Sequence, residues 1–150
     1  MSGISGNSKS RAAARLAAVQ ALYQHAMEET TLERLLDEFH RHRLGAEIED
    51  ELMLPAETAF FDDIVAGVIA RRDEIDAIIS SKLADGWAIE RLDRTLLQIL
   101  RAGTYELMAR ADVPTGTAIS EYLDVTHAFF NTRDAKFANG VLDAVAKAVR

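Results

Sequence analysis

The chain has 150 residues, 49% hydrophobic and 27% charged, the balance of an ordinary globular domain long enough to bury about two-thirds of its unfolded surface. Without cysteine it can hold neither a disulfide framework nor a thiolate metal site, and a formal charge of −7 argues against general affinity for nucleic acid. No apolar run approaches the ~20 residues that span a bilayer and MSGISGNSKSR lacks a signal-peptide core, so the expectation is a single cytoplasmic domain, residues 1–150, with 1–8 as a flexible lead-in.

Charge is unevenly placed. Residues 1–27 carry Lys9, Arg11 and Arg15 and no acid, a local +3 that leaves −10 for the rest. Any nucleic-acid site must therefore be local on a repelling surface. Residues 8–28 read as a first helix with Ser8 or Ser10 as N-cap. Ala12, Leu16, Val19, Tyr23 and Ala26 share one face at spacings of three and four. Arg11 and Arg15 then fall about a quarter-turn away, presented to solvent beside a core-edge tyrosine. A solvated helix start is the ordinary meaning of such charges.

A second helix is expected over 31–43, capped by Thr30 or Thr31, with Leu32, Leu35, Leu36 and Phe39 inward and Gly45 ending it. The acidic stretch 46–55 reads as a mobile connection. Helix resumes near Ala56, with Phe60, Ile64, Val68, Ile75, Ile78 and Ile79 at apolar spacing. Gly67 would admit a close neighbour, and a break is expected at 71–73. Asp85-Gly86 marks a turn before Trp87. Asp93 reads as the N-cap of a helix to Arg110 bearing Leu96, Leu100, Gly103, Thr104 and Leu107. Pro114 suits the first turn of the next helix, which carries Ile119, Tyr122, Leu123 and His127. The last helix carries Phe137, Val141, Leu142, Val145 and Val149. With no alternating strand pattern, the class is all-α, about six or seven helices in two packed small bundles.

The search for chemistry yields little. Asp37-x-x-His40 and Asp124-x-x-His127 place acid and histidine at i, i+3, as in di-iron bundles, but those use Glu and two further inward carboxylates. Ordinary surface or capping histidines are expected, with no metal and no cofactor. Acid pairs such as Asp62-Asp63 read as solvated charge. Phosphate loops, nucleophile elbows and zinc-helix motifs are all missing, so no enzyme is expected.

One stretch stands out, Phe129 to Arg150, FFNTRDAKFANGVLDAVAKAVR. Aromatics Phe129 and Phe137 with cations Arg133 and Lys136 at a helix start suit an RNA strand, because rings stack bases while cations and helix N-termini take phosphate. Core packing is the competing use of those rings.

Four ordered stretches resemble the NusB family of bacterial transcription antitermination factors. They are Arg11-x-x-x-Arg15 with AVQALY (18–23), ILR (99–101) with YEL (105–107), DVP (112–114) with AISE (118–121), and KFANGVLD (136–143). The resemblance runs from about Arg11 to Ala146. It implies an all-helical, non-enzymatic protein that pairs with the ribosomal protein NusE, binds boxA RNA, and supports processive transcription of rRNA operons by the RNA polymerase complex. The RNA-binding residues it implies are Arg11, Arg15, Tyr23, Phe129, Lys136 and Phe137. Arg133 joins them by charge, because it stands where the family has an acid. Ala12 and Ala13 replace common cations, Phe130 a usual glycine, and Leu96 and Leu97 charged positions, leaving the NusE contact without residues. The first-helix and late-turn sets are expected on one face of the fold. Three alternatives stand beside this reading: a protein-binding helical adaptor without RNA affinity, the accessory RNA-binding domain of an rRNA methyltransferase, and the metal-bundle enzyme weighed above; a homodimer through apolar helix edges is compatible with the main reading. The absence of a following cofactor domain disfavours the methyltransferase.

Overall fold

The computed structural model describes the backbone of residues 2–41 and 55–150 and the side chains of 9–41 and 58–150. Gly45 and the acidic connection fall outside the described residues. Seven α-helices, a π turn at residues 40–41 and a short 3₁₀ turn make up the helical structure of the described residues, without strand among them. The helices and the 3₁₀ turn are α1 (Ser2–Glu28), α2 (Leu32–Phe39), α3 (Pro55–Ala70), α4 (Arg72–Ser81), the 3₁₀ turn Ile89–Arg91, α5 (Arg94–Ala109), α6 (Thr115–Phe129) and α7 (Thr132–Val149). The chain divides into two compact units within α3, between Ala66 and Gly67. Among the described residues no helix is long and apolar enough to cross a membrane.

In the first unit, α1 starts at Ser2, so Ser8 and Ser10 lie inside the helix and not at the N-cap position expected of them. Its buried positions are Ala14, Arg15, Ala17, Ala18, Val19, Ala21 and Leu22, while Ala12, Tyr23 and Ala26 are exposed. The true core face is rotated by about a third of a turn from the one the apolar spacing suggests. The reason is the wealth of alanine in α1, which fits several faces equally. What decides is the partner: aromatics supplied by α2 and α3 favour small residues opposite them. Leu35 and Phe39 of α2 are buried with Phe60, Phe61, Ile64 and Val65 of α3. The Phe39 and Phe61 rings stack at 5.5 Å. Thr31 caps α2 by accepting from the Arg34 amide at 3.3 Å.

The second unit is built on α5. Ten residues between Leu96 and Leu107 are buried, and a helix enclosed on so many sides needs neighbours all round. It packs against α4, α6 and α7. Asp93 caps it, taking the amides of Thr95 at 2.8 Å and Leu96 at 3.2 Å. The chain breaks at Arg71 as expected, and Gly86 adopts φ +87°, the left-handed region that favours glycine. A Cβ at Gly67 would fall within the Tyr105 ring, so that glycine does admit its neighbour. On α5 the buried Glu106 accepts from the Tyr122 hydroxyl at 2.9 Å and the half-buried Arg101 grips Asp76 with two bonds of 2.8 Å, whereas the buried Thr104 hydroxyl has no partner among the described residues. Arg150 reaches back to donate to the carbonyls of Leu107 (2.9 Å), Arg110 (2.7 Å) and Val113 (2.7 Å). It thereby satisfies groups that the end of α5 leaves open.

Candidate nucleic-acid interface

The site residues of the first unit lie on α1. Arg15 is only 3% exposed, which corrects the expectation that it faces solvent. Arg11 is half-buried. Both guanidinium groups lie over the Phe60 ring, their central carbons 4.5 Å and 5.0 Å from its centroid. A guanidinium is planar and weakly hydrated, so it can exchange water for an aromatic face at small cost. Sequence reading assigned Phe60 to the core, where it belongs. What the spacing did not reveal is that its ring serves as a platform for two cations. Tyr23 lies two turns further along α1 and is 39% exposed, with Met27 four residues on and also exposed. At that spacing they form one outward surface.

The remaining site residues gather where α6 hands over to α7. Phe130 ends α6 in extended conformation, and its ring lies 6.4 Å from that of Phe129, which is 44% exposed. Asn131 caps α7 by accepting from the Asp134 amide at 3.1 Å. That cap fixes the orientation of the first turn, from which Arg133 and Lys136 project into solvent. Phe137, one turn in, is half-buried. Arg133 and Phe137 meet in a cleft of about 460 Å³ whose other walls include Trp87, Arg91, Leu92 and Leu96. Lys136 and Phe129 flank this junction without lining the cleft.

Trp87 and Arg91 are functional-looking residues that the sequence reading passed over. The signal was there: Trp87 follows a glycine turn outside every apolar repeat, and Arg91 lies four residues on. Only the fold brings both to Phe137, across nearly fifty residues of chain.

The histidine motifs resolve differently. His40 Nε2 meets Asp62 at 2.6 Å instead of Asp37, which bonds Arg41 at 3.1 Å. Asp62 and Asp63 are half-buried, so solvated charge does not describe them. His127 is exposed on α6, and no cluster of three potential ligands exists among the described residues.

Comparison with known proteins gives this geometry a family. The model of the NusB family matches residues 12–147. The chain is 70% identical, over 150 residues and the full length of both, to the transcription antitermination protein NusB of Novosphingobium aromaticivorans. Its fold resembles T. maritima NusB, with a TM-score of 0.77 at 30% identity over 91% of this chain and 90% of that one. It also resembles a chain in a crystal structure of the antitermination factors NusB and NusE in complex with dsRNA, with a TM-score of 0.78 at 25% identity over 93% of this chain and 98% of that one. A family model matching residues 12–147 and a full-length relative at 70% identity are decisive: the chain belongs to the NusB family.

Proposed function

We propose that this protein is a transcription antitermination factor that binds boxA-type RNA together with NusE and supports processive transcription of rRNA operons. It acts by binding, without catalysis. The observation that carries this reading is the junction of α6 and α7, where Arg133 and Lys136 project beside exposed or half-buried rings. Cations there neutralise phosphate and release counterions, while rings stack unpaired bases at about 1–3 kcal/mol each. The relatives support it, since one similar chain stands in a complex with NusE and RNA.

Within this reading the residues divide the work. Arg133 and Lys136 take phosphate, and Phe129 and Phe137 take bases. Arg11, half-buried, offers a cation from α1, whereas buried Arg15 acts by holding Phe60 and the start of that surface in place. Tyr23 offers a further ring. A gel shift with boxA RNA and with a scrambled RNA, each with and without NusE, tests the proposal. Preferential retardation of boxA RNA by the pair is expected, and no retardation even with NusE present refutes it.

A further inference from the structure

We infer that Trp87 supplies a second base-stacking surface for single-stranded RNA, with Phe137 behind it and Arg91 and Arg133 placed to meet the adjoining phosphates. This inference rests on the RNA-binding reading and assigns one nucleotide of that RNA to a definite cleft.

Trp87 is 56% exposed, an unusual state for the largest apolar side chain. Its ring lies 6.2 Å from that of Phe137 and tilted by 39°. The pair is too close for a base to slide between, but more than half of Trp87 remains exposed and available to a base. A nucleobase laid on the exposed indole would bury apolar area on both sides. Stacking of this kind needs a single strand, because a paired base presents only its edges. The cleft has about 460 Å³, in the range of small-molecule sites, and thus has room for a nucleoside.

The charges favour a nucleotide over an apolar peptide. Arg91 and Arg133 approach the cleft from the 3₁₀ turn and from the first turn of α7. Asp93 also lines it, but its carboxylate is engaged by the capping amides of Thr95 and Leu96. Asp134 remains as the counter-charge, beside Arg133. On a chain of net charge −7, a cleft whose two arginines balance its two aspartates is a local exception to the repelling surface, and the arginines beside an exposed indole suit an anion carrying a flat ring.

The chain has one tryptophan, so its fluorescence reports on this cleft alone. Wild type, W87A and W87F are titrated with single-stranded boxA RNA and with the same sequence as a duplex, with and without NusE. W87F with NusE supplies the background from the partner. Single-stranded RNA should quench the Trp87 emission, and the duplex should leave it unchanged. W87A should bind RNA roughly 5- to 150-fold more weakly, the range that loss of one stacked base gives, while W87F should retain most of the affinity. Circular dichroism of W87A should match wild type, because the ring removed is mostly in solvent. If RNA binds with unchanged emission and W87A binds as wild type does, the inference is wrong while the RNA-binding reading stands. The inference is equally wrong if NusE alone changes the emission and RNA adds nothing, which would make Trp87 a protein contact. If no RNA binds even with NusE, the parent reading fails and this one with it.

Discussion

Arg11 and Arg15 lie one turn apart over the same ring, and their exposure separates what each can do. Arg15 has surrendered nearly all contact with water, so its contribution is to packing; a lysine there would keep the charge but lose the flat face against Phe60. R15K is expected to lower stability by about 0.5–2 kcal/mol, read as a shift in the urea midpoint. Arg133 is exposed, and its substitution should act on RNA instead. R133E should weaken boxA RNA binding and lower the slope of log affinity against log salt by about 0.7 for each phosphate the variant no longer neutralises. An unchanged affinity and slope would show that Arg133 takes no phosphate. These residues also mark what the sequence could reveal. Arg133, Lys136 and Phe137 are near neighbours in the chain, so their grouping was legible from spacing alone. The burial of Arg15 was not, because it depends on Phe60, forty-five residues away.

Among the elements, α5 was the most legible, with its cap at Asp93 and its stripe of Leu96, Leu100, Gly103 and Leu107. The face of α1 was the least, since alanines satisfy almost any helical periodicity. Two features around α5 give predictions of their own. A methyl group at Gly67 would enter the Tyr105 ring, a ring held in the core and unable to retreat freely. G67A should therefore cost about 1–3 kcal/mol, measured by thermal or urea unfolding. R150A removes donors to the carbonyls of Leu107 in the last turn of α5 and of Arg110 and Val113 just beyond it, and a destabilisation of about 1–3 kcal/mol is expected in the same assay. At the break between α3 and α4, Arg71 donates to Glu74 at 2.9 Å and 3.0 Å. That hydrogen bond holds the Glu74 carboxyl below its ordinary range. Its folded value is lower than its unfolded one, so its stabilisation is complete above the ordinary carboxylate range and is lost as pH falls through the depressed value. The pair is exposed, so the effect is small and screened by salt. Urea midpoints of wild type and E74Q should differ slightly near neutrality and converge in acid.

For the whole molecule, the all-helical class and the family were legible because both rest on short-range signals: periodicity, caps, and four ordered motifs. The division of the chain within α3 was not, for Ala66 and Gly67 lie inside an unbroken helical pattern. Nor was the cleft at Trp87, whose walls come from separate helices. A net charge of −7 makes the proposed function depend on local cations, and it predicts that RNA affinity falls with salt even though the protein is acidic. The most direct test is the affinity of this protein together with NusE for boxA RNA, measured at two salt concentrations. Preferential binding of boxA RNA that weakens as salt rises is the predicted result. Absence of binding at the lower salt, with NusE present and the protein folded, would contradict the account.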